Sequence, residues 1–336
     1  MAIKSDNTQG NPYHDEDTGE FTSSTGSGQN NKEDLVKESD LGSLFASDDE
    51  DFSDFWNEVD SAIKEKESQP KSIDDMTNQE LLDEINDCKD YLKNNLWIEV
   101  PQGYTEIFNH DLKLTCSNFR QIKSLLSTYS AKVTNMRIET FKDKSSTIAQ
   151  VTSSLMKNDN DLLFFGNRSL QFQSKFFQSY DSVKQRVMDE SSMGAKVKVA
   201  EEYASCAETS HEIGHIIFDS LFIDKMIKLN GPIDDDRGCK VKDAFVGVIY
   251  EKQYKYRFTK PLNDFMDKCR KDIYDIYKQD NPDSELSYNE FKDSVSWYAS
   301  ENSREWLAET FCSLTCGKPT PIAKAMEKYL INQGAK

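Results

Sequence analysis

Two histidines four residues apart, His211 and His215, are the side chains of this 336-residue chain best suited to chemistry. They enclose the sequence His-Glu-Ile-Gly-His, and on a helix two such side chains lie on one face, where both imidazoles can bind one metal ion. Glu212 follows directly, where a carboxylate can take a proton from a metal-activated water. The chain has only four histidines, which argues against a chance match. The alternative is a helix whose two histidines serve packing alone.

A catalytic zinc site of this kind needs a third protein ligand. No third histidine follows within a dozen residues, which argues against a three-histidine site. Glu305 and Glu309 are the best candidates, because side chains at i and i+4 of a helix face the same way. One is expected to bind the metal and the other to orient a ligating histidine through its second ring nitrogen. The alternative is two ordinary surface carboxylates on an amphipathic helix.

The elements that must position these groups are two helices. Helix formers and an apolar stripe without proline predict a helix from Lys196 to Leu229. Gly214 interrupts that pattern, at a cost of about 1 kcal/mol relative to alanine. We therefore expect another backbone to pack closely there, on the element that brings the third ligand. The second helix is expected to begin at Asn302 or Ser303, which can cap it, and to be closed by Gly317.

These motifs resemble a known family. His-Glu-Ile-Gly-His, followed by Tyr298, six residues, and Glu305-Trp-Leu-Ala-Glu309-Thr-Phe, is similar to the zinc peptidase domain of anthrax lethal factor and its relatives, many of them carried by phages and mobile elements. The resemblance covers roughly residues 100–336, and only the two motif blocks are specific. One departure is the long segment between the blocks, roughly Lys225–Asp293.

The resemblance implies a role for each site residue. His211, His215 and Glu305 would bind one Zn²⁺, and Glu309 would orient a ligating histidine. Glu212 would act as general base. Tyr298 would donate a hydrogen bond to the oxyanion.

The remaining pattern is mixed, and it predicts an α+β, zincin-like fold with a small twisted sheet. The segment expected to be the edge strand is Leu162–Phe165, to which a peptide could add by β-pairing; an interior strand is the alternative. The other expected elements are helices near 77–94, 118–132, 176–190, 261–280 and from 321, and strands near 133–141 and 147–153. Cys312 and Cys316, one helix turn apart, are expected to be core residues rather than metal ligands.

Charge divides the chain into unequal parts. The first hundred residues carry the whole net charge of −18, and the remainder is neutral. We expect a disordered acidic arm over 1–50, an acidic helical segment over 51–97 with an amphipathic helix at 51–68, and a metallopeptidase domain over 98–336. A short segment at 11–23 resembles a sequence near the termini of some phage head-associated proteins. Nothing is basic enough to indicate nucleic-acid binding.

The function predicted from these observations is a zinc-dependent endopeptidase acting on a protein or peptide substrate. The resemblance adds a phage context, with the protein in a virion or the host cytoplasm and with capsid or virion proteins as partners. The alternative is a structural head-associated protein whose zincin fold is idle, and a further one is a toxin-like effector that cuts a host protein. We expect neither a signal peptide nor a membrane span, because the chain has no apolar segment of the required length.

Overall fold

Eight α-helices and four strands make up the described part of the chain, which in this computed structural model is residues 71–131, 133, 136–141, 146–157, 162–230, 238–240, 260–317 and 319–336. The protein is therefore α+β, mostly helical, with a small sheet. Residues Ile73–Lys336 form one compact unit. The expected acidic arm at 1–50, the amphipathic helix at 51–68 and the phage-like segment at 11–23 lie outside the described residues.

Two helices precede the first three strands in chain order, and two more precede the fourth strand. They are α1 (Asn78–Asn95), α2 (Leu112–Thr128), α3 (Tyr180–Ser192), α4 (Ala207–Asn230), α5 (Lys260–Asp280), α6 (Tyr288–Asp293), α7 (Ser303–Cys316) and α8 (Pro321–Asn332). The strands are β1 (Arg137–Thr140), β2 (Ala149–Lys157), β3 (Leu162–Phe172) and β4 (Gly238–Lys240).

The first two helices begin at capping residues and pack against each other. Thr77 caps α1 in a capping box with Glu80, as its sequence predicts, and Asp111 caps α2 by accepting from the backbone N–H of Leu114. Their apolar faces meet in the core, so α1 belongs to the same compact unit as the helices that follow. Helix α2 begins and ends several residues earlier than the 118–132 that periodicity predicts.

The sheet has β3 at its centre, and this corrects one prediction. β3 pairs antiparallel with β2 along one side, while β1 pairs with it in parallel and β4 pairs antiparallel with its first residues. The segment Leu162–Phe165 is therefore an interior strand, and its backbone is not open to an added peptide. An apolar run of four residues is compatible with an edge strand and with an interior strand, because hydrophobic periodicity alone does not determine which strands become neighbours. Within the described residues, β2 pairs with β3 alone.

The helix that carries both histidines is shorter than predicted. α4 begins at Ala207, after a 3₁₀ helix at Glu201–Cys206, rather than at Lys196. The preceding helix α3 ends at Ser192, two residues before Gly194, whose φ of +74° is the left-handed conformation typical of a glycine that follows a helix. The backbone N–H of Ala195 donates to the carbonyl of Glu190 at 3.0 Å, and residues 197–200 continue without regular secondary structure. That segment runs beside the site instead of forming its helix.

Helix α4 is buried along most of its length, with α7 packed directly against it. Ile213, Ile217 and Phe218 of α4 and Trp306 and Phe311 of α7 are at most 1% exposed. Each large apolar side chain removed from water contributes about 1.5–3 kcal/mol to the stability of the fold. Burial of these side chains therefore stabilises the contact between the two helices that carry the polar groups. Among the described residues, no helix is long and apolar enough to cross a membrane.

Candidate metal centre

Three side chains from α4 and α7 converge on one point. Nε2 of His211 lies 3.1 Å from Oε2 of Glu305, and Nε2 of His215 lies 3.4 Å from the same oxygen. The three ligand atoms all lie within 4.8 Å of one another. Ligand atoms about 2.0–2.1 Å from a tetrahedral ion are separated by about 3.3 Å, so the two distances from Glu305 to the imidazoles fit such an ion. The group could hold a metal ion, and the two histidines and Glu305 are its donors.

Gly214 allows the two helices to come this close. A Cβ atom at Gly214 would lie 3.1 Å from Cα of Ala308 and 3.2 Å from Cβ of Phe311. The close backbone approach predicted from this glycine is confirmed, and the neighbouring element is the helix that carries Glu305. Asn302 caps that helix, accepting from the backbone N–H groups of Arg304 and Glu305, and thereby fixes its first turn.

Glu309 lies behind His211 and holds its second ring nitrogen. Oε1 of Glu309 is 2.9 Å from Nδ1 of His211. Its other oxygen accepts from the backbone N–H of Val197 and from the hydroxyl of Ser296, each at 2.9 Å. Glu309 is 1% exposed, so these partners replace the water that it loses. An ionised carboxylate there makes Nδ1 the donor and leaves Nε2 turned towards Glu305.

The positive and negative charges of this cluster stabilise one another. Burial would lower the pKa of His211, and the nearby ammonium of Lys196 lowers it too, but the hydrogen bonds to Glu305 and Glu309 raise it to about 10. Burial would raise the pKa of Glu309, yet Lys196 and His211 hold it at about 2. Burial likewise opposes ionisation of Glu305, and the two histidines hold its pKa well below the usual range. Both carboxylates are therefore anionic at neutral pH.

Tyr298 and Glu212 complete the set named by the sequence. The ring of Tyr298 lies 5.7 Å from that of His211, centroid to centroid. Burial and the negative charge of Glu305 raise the pKa of Tyr298, with a smaller contribution from Glu212, so its hydroxyl remains a proton donor at neutral pH. Glu212 is 6% exposed and follows a ligating histidine on α4. The arrangement brings an acceptor, a donor and a metal-binding group together.

A buried ion pair flanks the centre on the side of His215. Asp219, one turn after His215 on α4, accepts from Nη2 of Arg304 at 3.1 Å and is fully buried. Arg304 directly precedes the ligand Glu305, so this pair links the two ligand helices a second time. The charge of Asp219 also acts on Arg168 of β3, whose pKa burial lowers to about 10.

Several of these groups were missed by sequence analysis. Lys196, Ser296 and Val197 contact Glu309 from a segment predicted as helix or left without a role. Asp219 lies four residues after His215, and this spacing was the one signal that could have indicated it. Cys312 and Cys316 are buried free thiols, as expected for core residues.

Comparison with known proteins found no matching family model, no matching curated protein and no matching solved structure.

Proposed function

We propose that this protein is a zinc-dependent endopeptidase with a zincin-like catalytic domain. The observation that carries the proposal is the convergence of His211, His215 and Glu305, with both Nε2 atoms 3.1 and 3.4 Å from the same Glu305 oxygen and all three ligand atoms within 4.8 Å of one another. Two imidazoles and one carboxylate form a donor set that suits Zn²⁺ in catalytic sites and leaves a fourth position open. Tyr298 lies beside His211 and Glu212 follows His211 on α4, and a metal site used only for structure does not need either of them.

Each residue has a task in peptide hydrolysis. Bound zinc would supply Lewis acidity and activate water at neutral pH. Glu212 would accept the proton of the attacking water and pass it to the leaving amine. Tyr298 would donate its phenolic hydrogen to the oxygen on which negative charge develops. Glu309 would keep Nε2 of His211 aimed at the metal, and its burial would keep that orientation rigid.

A polypeptide is the substrate class that this fold suits. β2 packs against α4 and, within the described residues, pairs with β3 alone. Its free side could accept an extended substrate through main-chain hydrogen bonds, which bind peptides without selecting their sequence. We assign peptide binding to β2 because Leu162–Phe165, the segment first expected to bind the peptide, is an interior strand.

The proposal is tested with the full chain loaded with one equivalent of Zn²⁺ and mixed with an unfolded protein. We expect new amino termini to appear, detected by mass spectrometry, to disappear after chelation and to return when zinc is restored. The matched control is His215→Ala, which removes one ligand from the same helix. A zinc-loaded chain that cleaves no bond in a broad peptide mixture would refute the endopeptidase function.

The phage context is a separate proposal, and it comes from the resemblance and the segment at 11–23. It places the protein in virions or in the host cytoplasm, with capsid or virion proteins as partners. An idle fold inside a phage head has less support, because the candidate donor Tyr298 lies beside His211 and the candidate acceptor Glu212 follows His211 on α4. Mass spectrometry of purified particles of the phage that carries the gene tests the location. Absence of the protein from these particles would contradict the virion location.

A further inference from the structure

Lys196 is a partly buried cation beside the candidate metal centre, and the proposed reaction gives it no role. Its ammonium nitrogen lies 3.5 Å from Oε1 of Glu309 and 3.9 Å from the centroid of the Tyr298 ring. Oε2 of Glu208 lies 4.0 Å away. The Lys196 side chain is 20% exposed, so two carboxylates and the face of an aromatic ring largely replace its hydration.

The backbone holds Lys196 in this position from two directions. On one side, Gly194 and Ala195 follow α3, and their carbonyls accept from the N–H groups of Trp297 and Tyr298, at 3.0 and 3.2 Å. On the other side, the N–H of Val197 donates to Glu309. Lys196 thus lies in a segment hydrogen-bonded to both of the groups that its side chain contacts, and those three hydrogen bonds leave it little freedom to move away.

We propose that Lys196 is a positioning residue of the metal centre, holding the Glu309 carboxylate against Nδ1 of His211 and the Tyr298 ring beside it. Oε1 of Glu309 is shared between His211, at 2.9 Å, and Lys196, at 3.5 Å, so the ammonium fixes the oxygen that orients the ligand. The same ammonium on the ring of Tyr298 fixes the hydroxyl that would meet the substrate. The part concerning Tyr298 rests on the proposed function; the part concerning Glu309 and His211 needs only metal binding.

A purely structural role for Lys196 makes a different prediction. In that case the ammonium would only balance the buried charges of Glu208 and Glu309. Glu208, however, has its own cation, since Nη1 of Arg186 lies 3.1 Å from its Oε1. Loss of charge balance alone would lower stability and leave the metal geometry and the turnover of the folded, zinc-saturated protein unchanged.

The test uses Lys196→Met, which keeps the aliphatic chain and removes the charge, in the full-length protein. Lys198→Met, two residues away at an exposed position, is the matched control. Zinc affinity is measured by competition with a chelator, ligand geometry by the visible spectrum of the Co²⁺-substituted protein, and kcat and KM at saturating zinc. We expect zinc affinity to fall about 10- to 100-fold and the cobalt spectrum to change. We also expect kcat to fall about 10-fold or more with little change in KM, because Tyr298 acts on the transition state.

The outcomes separate the possibilities. Lys196→Arg, which restores the positive charge, should recover part of the zinc affinity. If Lys196→Met lowers only thermal stability, and matches Lys198→Met in zinc affinity, cobalt spectrum and kcat, the proposal is overturned. Should Lys196→Met fail to fold, the double variant Lys196→Met/Glu208→Gln removes one uncompensated carboxylate and is judged by the same criteria. If wild type binds zinc but cleaves no peptide, the proposed function fails with the part concerning Tyr298, and the zinc affinity and cobalt spectrum decide the rest.

Discussion

Gly214 and Ala308 mark the point where the two ligand helices touch, since a Cβ atom at Gly214 would lie 3.1 Å from Cα of Ala308. Gly214 directly precedes the ligand His215, and Ala308 lies between the ligand Glu305 and its neighbour Glu309. The missing side chain therefore sets the distance between the histidines of α4 and the carboxylates of α7. The candidate metal centre therefore depends on Gly214, which supplies no ligand atom.

Gly214→Ala should weaken zinc binding by about 10-fold or more, because a metal site must be held within about 0.5 Å of its working geometry. Overpacking of about 1–3 kcal/mol should also exceed the gain of about 1 kcal/mol in helix propensity. Zinc titration and urea unfolding measure the two effects. The control is Gly103→Ala, whose new Cβ would meet only the carboxylate end of the flexible Glu106 side chain. Unchanged zinc affinity in Gly214→Ala would contradict this account of the helix contact.

Glu305 and Glu309 should differ in how strongly they affect metal binding. Glu305→Ala removes one of three protein ligands and should nearly abolish zinc retention. Glu309→Ala leaves all three and should weaken binding about 10- to 100-fold, since it frees the ring of His211. Competition with a chelator gives the ranking, with Glu301→Ala, an exposed carboxylate before the same helix, as control. The reverse order would exchange the roles of the two carboxylates.

Tyr298→Phe should keep zinc bound while kcat falls about 100- to 1,000-fold, the usual effect of losing one oxyanion donor. KM should change little, because the hydroxyl matters only as charge develops on the substrate oxygen. Steady-state kinetics on a peptide identified from the cleavage products provides the measurement. Tyr203→Phe, at a partly exposed position on the 3₁₀ helix before α4, is the control. Full activity in Tyr298→Phe would exclude the hydroxyl from the reaction.

Asp219→Ala should lower the free energy of unfolding by about 3–5 kcal/mol, because it removes a buried carboxylate that pairs with Arg304 and whose charge stabilises the buried guanidinium of Arg168. Asp272→Ala removes a carboxylate from a surface pair with Lys268 and should cost less than about 1 kcal/mol. Urea unfolding of both variants without metal makes the comparison. Equal stability losses would mean that the Asp219 pair contributes no more than a surface pair.

The parts of the site that the sequence predicts are those in which one local pattern fixes the geometry. The spacing of His211 and His215 puts both on one helix face, and Gly214 indicates a close helix contact before the neighbour is known. The capping box at Thr77 is likewise a local pattern, and it marks the start of α1. Glu309 was identified with Glu305 by their spacing, and its contact with His211 agrees with the orienting role.

The parts that the sequence does not predict depend on contacts between distant segments. Strand order is such a case, because the hydrophobic pattern of Leu162–Phe165 does not indicate that β3 pairs with β1, β2 and β4. The start of α4 is another. Helix propensity favours a helix from Lys196, but the left-handed turn at Gly194 and the hydrogen bonds of residues 194–197 to Glu309 and to residues 297 and 298 keep that segment out of a helix. Lys196 could not be placed beside Tyr298 without that information.

The most direct test of the central claim compares wild type with Glu212→Gln in zinc content and in peptide hydrolysis. Glutamine keeps the shape of the side chain and removes the base, so Glu212→Gln should bind one zinc per chain, as wild type does, and cleave no peptide bond. Glu202→Gln, an exposed position on the 3₁₀ helix before α4, should match wild type in both. Hydrolysis by Glu212→Gln at the rate of wild type, or a wild-type protein without bound zinc after zinc is supplied, would contradict the account.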